Sequence, residues 1–445
     1  MISKRSFSQT ALKRFLKKPQ FNVKSIVNDL PQYRESIAKR QLVAGAGLLE
    51  GLQNLPEAYE TIRGLNHKIA LVQGQRKSLE AEIKNDRSKI EVRASEIKSL
   101  KSQYQLISKE LDLAELKVTD MCSSLPNLVS PNSPATEPQI VHWINPQDSY
   151  EPDAKRDHVN IMVEKGLVDF QTASNVSGTS WFYLLNEGAE LEQALVSYAL
   201  KQAKEAGFQV CIPPSIVRNE VIDSCGFRPR DMNNEQQIYH INDTSLGLTA
   251  TAEIALAGLG INKVMDLSKG PRSVVGVSRS YRAEAGARGK DTKGLYRVHE
   301  FTKVELFVWA KPEESTRLLE KLKDLQIDIV TSLGLSAKVL NMPANDLGAP
   351  AYKKYDIEAW MPGRGSFGEI TSSSNCLDYQ SRRLNTRFKN ELTGKPEYVH
   401  TLNGTAMAVP RVILALIENF YCPTTGKITI PEPLRPFMNN RTCIE

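Results

Sequence analysis

Residues 280–309 read SYRAEAGARGKDTKGLYRVHEFTKVELFVW. Upstream of the loop, residues 273–282 read as a strand. Downstream, residues 301–309 alternate apolar and polar side chains, the period-two pattern of a strand that buries one face. The intervening 283–300 collect Gly, Lys and Arg in a loop framed by Arg282 and Glu284. Strand, loop and returning strand predict an antiparallel pair. The chemistry of the loop points to a polyphosphate: a guanidinium can chelate a phosphate through two parallel hydrogen bonds, and a carboxylate can accept from an amine. By composition alone an ordinary charged hairpin loop fits equally well.

Moving outward, residues 191–206 read as an amphipathic helix that stops at Gly207, a good C-cap residue, followed by a strand at 208–212 ended by Pro213-Pro214. Helices are predicted at 313–333 and 409–420, and a strand at 400–403. Strands and helices in irregular order argue for an α+β domain on an antiparallel sheet with flanking helices.

The N-terminal part has another period. Apolar residues at Ile62, Leu65, Ile69, Val72, Leu79, Ile83, Ile90, Ile97, Leu100, Tyr104, Ile107, Leu111, Ala114 and Val118 step by three and four, a heptad seam interrupted at Arg76, Asp86 and Arg93. Only residues 84–88 have turn composition. Periodicity does not choose between one long helix and an antiparallel hairpin turning at 85–88, and a generic dimerisation coiled coil has the same seam. Residues 122–138, rich in Ser, Pro and Asn, read as a linker. The expected organisation is a tail at 1–28, an N-terminal domain at 29–130 with a helical arm at 60–118, and a C-terminal domain at 131–445.

The chain of 445 residues carries 57 Lys+Arg against 51 Asp+Glu, a net +6. Residues 1–28 hold seven basic residues and no acid, so the excess lies in the tail. Lys/Arg, early Ser3, Ser6 and Ser8 and scattered Phe and Leu match a mitochondrial transit peptide addressed to the matrix; a basic RNA-binding arm is the alternative. No apolar run is long enough to span a membrane. Six widely spaced cysteines argue against a disulfide scaffold or a cysteine-rich zinc site. Gly363, Gly365 and Gly368 match G-x-G-x-x-G, but no good helix start follows, so a glycine turn is expected. Individually, Thr251 suits a helix cap, Glu305 a surface ion pair, Asn403-Gly404 a turn and Arg411 a solvated residue.

Together these segments resemble the seryl-tRNA synthetases, a class II aminoacyl-tRNA synthetase family. Arg282-x-Glu284, Asp291-Thr292 and Arg297-Val298-His299 through Glu305 are similar to motif 2. Thr251-Ala252-Glu253 resembles the serine loop, residues 369–383 the E-I-S-S-x-S-N strand, residues 402–411 with Glu418-Asn419 motif 3, and residues 207–214 the end of motif 1. The resemblance covers essentially all of 25–445. It implies a homodimeric, ATP-dependent serine–tRNA ligase, active in two steps through a seryl-adenylate, whose arm is an antiparallel hairpin that binds tRNA(Ser).

The resemblance also implies roles. Arg282 holds the α-phosphate of ATP, Glu284 the adenine amine, Phe301 stacks on the ring and Arg411 holds the far side of the nucleotide. Ile370 and Thr371 complete the ATP site with Glu369 and Ser372, and the latter two hold Mg²⁺. Thr251, Ala252, Glu253, Arg282, Glu305, Asn403 and Thr405 line the serine pocket, with Glu305 pairing the substrate ammonium. Arg282, Arg411 and Glu369 are the implied catalytic set. The chain departs from the family at Glu300, Thr371, Ser373, Ala406-Met407 and Pro410. Proline fixes φ and removes an N–H, so a changed approach to Arg411 is expected. Two other functions fit parts of the pattern: a ligase that charges a carrier protein, and a non-catalytic scaffold derived from a synthetase.

Overall fold

The computed structural model describes residues 15–227, 237–284 and 293–445. The tail up to residue 14, with Ser3, Ser6 and Ser8, and loop residues 285–292, with Asp291 and Thr292, lie outside the described residues. Two compact units emerge: Pro19–Leu128, and Val129–Glu445 with residues 15–18.

The first unit is helical. Asn22 caps α1 (Val23–Asn28) by accepting the Ser25 N–H at 3.1 Å. α2 (Leu30–Arg40), α3 (Gly45–Asn85) and α4 (Ile90–Ser124) follow. Ile26, Ile37, Leu52, Leu55, Val118, Cys122 and Leu125 form the core of this unit. The hairpin is the form adopted. Asp86 ends α3, and its carboxylate accepts the Ser88 N–H at 3.1 Å and hydroxyl at 2.7 Å, starting a 3₁₀ turn at Arg87–Lys89. Two residues that interrupt the seam pair with acids: Arg93 meets Glu82 across the turn at 3.2 Å, and Arg76 meets Glu80 at 3.1 Å. Cys122–Ser124 belong to the last turn of α4 rather than to the linker, because Cys122 is buried and holds the turn in the core.

The second unit is built on eight strands: β1 (Gln139–Ile144), β2 (Gln209–Cys211), β3 (Arg272–Tyr281), β4 (Glu300–Ala310), β5 (Ala337–Asn341), β6 (Lys353–Met361), β7 (Ser366–Asn375) and β8 (His400–Ala408). Their order is β1-β5-β6-β7-β8-β4-β3-β2. Every neighbouring pair is antiparallel except the edge pair β2–β3, which is parallel, with Gln209 opposite Val274. The stretch that opened the sequence reading is the antiparallel pair β3–β4, with Tyr281 opposite Glu300. The Ser/Pro/Asn stretch from residue 129 is not free chain. The Ser130 N–H bonds the Tyr352 carbonyl at 2.9 Å, and Asn341 donates to the Asn132 carbonyl at 2.7 Å.

The helices of this unit used below are α5 (His158–Glu164), α6 (Asn186–Glu205), α7 (Ala252–Ala257), α8 (Ser315–Ser332) and α9 (Val409–Phe420). α6 starts earlier than its apolar stripe suggests. Gly188 lies against the Leu167 carbonyl, where an added Cβ would come to 2.4 Å, so only glycine permits that first turn.

Alternation along β4 predicted one buried face, and the structure buries both. Val304, Leu306 and Val308 join the core that includes α6, α8 and α9 residues. Phe307 and Trp309 join a second core with α7. The polar residues of that second face, Lys303 and Glu305, are 7% and 1% exposed. They avoid solvent because they line an internal site.

Candidate active site

The cleft opens where β7 and β8 part. Their ladder contains only Ser373–Gly404, Ser374–Asn403 and Asn375–Leu402. Beyond it the backbone carbonyls lack strand partners, and Gln326 of α8 reaches in to satisfy two of them: Ser372 at 2.8 Å and Thr405 at 2.9 Å. A backbone acceptor buried without a partner is costly, so this one amide stabilises the opening.

β7 carries a bulge. Ile357 faces Thr371 and Glu358 faces Glu369, which leaves Ile370 without a partner. In a regular strand residues three apart point to opposite faces; one extra residue corrects the phase. Glu369 and Ser372 therefore line the same cleft, together with Arg282, Glu284, Phe301, Thr405 and Arg411. Ile370 borders the cleft with its side chain in the core. Thr371 is buried and donates its hydroxyl to the Thr405 carbonyl, so it braces the strands rather than facing the cleft.

Two arginines dominate one side of the cleft. Arg411 donates through Nη1 to Glu369 Oε2 and to the Glu369 carbonyl, each at 3.0 Å, and through Nε to the Tyr296 carbonyl at 3.0 Å. The Arg282 guanidinium lies 5.2 Å from the Phe301 ring centroid. Burial and the neighbouring Arg411 lower the Arg282 pKa. Burial opposes ionisation of Glu369, yet Arg411, Lys354 and Arg282 outweigh it and hold the carboxyl at about 2. Glu284 adopts a left-handed backbone (φ 46°), and its carboxylate accepts from Arg297 at 3.0 Å.

The other side is more deeply buried. Thr251 caps α7 by accepting the Glu253 N–H at 3.3 Å, so the cap expected of it coexists with a place in the site. Ala252 is fully buried behind it. Glu253 Oε1 accepts from Gln380 at 2.6 Å and Asn403 at 2.9 Å, and Thr401 donates to Gln380 at 2.8 Å. Burial, followed by repulsion from Glu305, pushes the Glu253 carboxyl up to about 7. Lys303 is the residue that motif reading missed. Its ammonium lies 2.5 Å from Glu305 and donates to Thr251 at 3.2 Å. A signal was available: residues i and i+2 of a strand share a face, so an inward Glu305 brings Lys303 with it.

The departures from the family pattern have local explanations. Glu300 is 3.8 Å from Arg279 and accepts from the Tyr281 hydroxyl at 3.3 Å. Ser373 is fully buried. Ala406 is the extra residue of a second bulge, between Thr405 and Met407. Pro410 occupies the first turn of α9, where its missing N–H would have had no helical partner. The helix starts normally at this proline. Gly363 and Gly365 lie in a turn between β6 and β7, as expected, with Gly365 at φ 68°, whereas Gly368 lies within β7 opposite Ala359.

Residues 236–420 match the family model of the tRNA synthetase class II core domain (G, H, P, S and T). The chain is 59% identical to the mitochondrial serine–tRNA ligase of Saccharomyces cerevisiae over 446 residues, covering 100% of each. It is 37% identical to that of Schizosaccharomyces pombe, over 94% of this chain and 88% of the relative. Among solved structures, the seryl-tRNA synthetase of Pyrococcus horikoshii complexed with ATP superposes with a TM-score of 0.86 at 32% identity, over 96% of this chain and 99% of that one. The fold, the cleft with its paired arginines and these likenesses converge: the chain belongs to the seryl-tRNA synthetase family of class II aminoacyl-tRNA synthetases.

Proposed function

We propose that this chain joins serine to tRNA(Ser) for mitochondrial translation, at the cleft between β7 and β8. In the first step the serine carboxylate attacks the α-phosphate of ATP, the bond to the bridging oxygen breaks, and pyrophosphate leaves. In the second the terminal ribose hydroxyl of the tRNA attacks the acyl carbon and AMP leaves. No side-chain nucleophile is needed; positioning and charge stabilisation do the work. Arg282 and Arg411 hold the phosphates, Glu284 the adenine amine, and Phe301 the ring. Glu305 meets the serine ammonium, with Thr251, Glu253, Asn403 and Thr405 around the side chain. The observation that carries this reading is the pair of guanidiniums facing one ionised carboxylate, Glu369, at the rim of a buried Glu–Lys–Glu pocket.

The discrimination has a physical basis. A pocket built to hydrogen-bond a hydroxyl leaves its own buried groups unpaired when alanine enters, which rejects it by ~10⁴-fold. Threonine is excluded by size.

Mg²⁺ fits the donor set. Glu369 and Ser372 offer hard oxygens on one face, and Asp356, cross-strand partner of Ser372, keeps a buried carboxylate oxygen without a hydrogen bond. Among the described residues no cluster of three or more His, Cys, Asp or Glu could hold a metal; Glu369 and Ser372 would hold Mg²⁺ together with substrate phosphates. A bound Mg²⁺ supplies charge neutralisation to the phosphates.

The arm 60–118 of the N-terminal domain (29–130) contacts the tRNA, mainly through backbone and shape, and the catalytic domain (131–445) charges it. The tail addresses the chain to the matrix. Asn22 caps a helix whose Ile26 is buried, which favours cleavage upstream of Asn22 within the expected 1–28. A second copy covers the edge strand β2 and its flank, where Val210, Ile212 and Ile216 are 47%, 86% and 49% exposed. No helix among the described residues is long and apolar enough to cross a membrane.

The test is aminoacylation of total mitochondrial tRNA with each amino acid in turn. Serine alone is expected to be transferred; transfer of another amino acid, or of serine only to a carrier protein, sinks the reading. A chain lacking residues 60–118 should form adenylate and fail to charge tRNA, whereas equal charging refutes the role of the arm. The scaffold alternative requires no affinity for ATP or serine, which calorimetric titration measures.

A further inference from the structure

The segment Lys293–Tyr296, where the described chain resumes after the basic loop, is tied down at three points. At the first, the Leu295 N–H donates to His158 Nε2 at 3.2 Å, and the opposite ring nitrogen, Nδ1, lies 2.8 Å from Glu418 Oε1. Because Nε2 accepts, Nδ1 carries the hydrogen. His158 is 4% exposed and Glu418 is fully buried. At the second, Lys293 pairs with Asp157 at 2.5 Å. At the third, the Tyr296 ring lies between two guanidiniums, Arg364 at 3.7 Å and Arg411 at 4.7 Å from its centroid.

The Glu418 carboxylate accepts at both ends. Oε1 takes the His158 ring and, at 3.4 Å, its backbone N–H; Oε2 takes the Arg364 N–H at 3.0 Å. An amide offers one acceptor and one donor, so glutamine would set an N–H against an N–H at one end. Gly294 completes the fit: it adopts φ 63°, and a Cβ there would come to 2.1 Å from His158 Nε2. The tie matters because Arg411 donates its Nε to the carbonyl of Tyr296, the next residue after Leu295.

We propose that His158 and Glu418 are positioning residues for adenylate formation: they fix the Lys293–Tyr296 segment, and its Tyr296 carbonyl and ring set the direction of Arg411. The inference rests on the reading of Arg411 as a nucleotide ligand. It assigns a task to a buried histidine and carboxylate that touch neither serine nor ATP.

The test is ATP–pyrophosphate exchange with the full chain, comparing His158→Phe, Glu418→Gln, Gly294→Ala and Arg411→Ala. Each of the first three should raise the KM for ATP ~10-fold while the KM for serine stays within ~2-fold. The double variant His158→Phe/Arg411→Ala should be no worse than Arg411→Ala alone, because groups that act through one residue do not add. Additive losses, or equal rises in both KM values, overturn the proposal and mark the pair as merely structural. If His158→Phe fails to fold, Gly294→Ala and the exposed Lys293→Ala carry the same prediction, and an unchanged KM for ATP in both overturns it. An Arg411→Ala variant with normal KM for ATP overturns the nucleotide reading as well; a large effect there with none at His158 overturns this inference alone.

Discussion

The two sides of the cleft use the same residue types in opposite ways. On the nucleotide side, Glu369 faces Arg411 and Arg282 and stays ionised down to about 2. On the serine side, Glu253 is buried beside Glu305 and rises to about 7, although Lys303 and two amides stand close to it. Two guanidiniums beside Glu369 suit a polyanion such as ATP. Two carboxylates around one ammonium suit a small zwitterion that brings its own cation. The comparison teaches that the charge balance of each half, rather than any single residue, matches the ligand expected there.

The largest expected effect tests the assignment of Glu305. Glu305→Ala should lower serine-dependent pyrophosphate exchange by ~1,000-fold or more, since it strands a buried ammonium partner and removes the substrate's. Exchange at the parental rate contradicts the serine pocket. A smaller effect is expected from Lys303→Met. It should cost about 3 kcal/mol of stability, measured by denaturant melts, because the carboxylate it leaves is buried and unpaired. It should also raise the KM for serine ~10-fold, with the KM for ATP unchanged. A lower KM for serine would instead mean that Lys303 competes with the substrate ammonium.

The smallest effect concerns pH. Glu253 has a folded pKa of about 7, above its ordinary value. Between the two values the folded chain holds a proton that the unfolded chain has lost. Stability from this group is therefore present at low pH and declines as pH rises towards and through 7. Glu253→Gln, which keeps an acceptor for Gln380 and Asn403, should flatten the melting temperature between about pH 5 and 8. A slope equal to that of the parent would show that Glu253 is ionised throughout and that the two sides of the cleft do not differ in this respect.

The site was legible where chemistry is carried by short motifs. Arg282, Glu284, Phe301, Glu369, Ser372, Thr405 and Arg411 do line one cleft. Thr371 does not, because its neighbour Ile370 is a bulge, and a bulge leaves no reliable mark in composition. Lys303 was overlooked because a lysine in an alternating strand reads as a solvent-facing residue; its 7% exposure follows only once α7 covers that face. His158 and Glu418 are 260 residues apart, and no local pattern joins them.

The amino-acid sequence by itself determined the periods and the punctuation. The heptad seam required a packed helical arm, alternation and glycine required β3, β4 and their loop, and an acid-free tail accounted for a net charge of +6. Tertiary structure decided what those elements face. The packing of α3 against α4, with Arg93 meeting Glu82 across the turn, made one continuous seam into an antiparallel hairpin. The parting of β7 from β8 made a cleft, stabilised by Gln326 from a distant helix. The physical reason is common to both: a side-chain period depends on neighbours a few residues away, whereas burial, bulge phase and the pairing of charges depend on chains that meet only when folded.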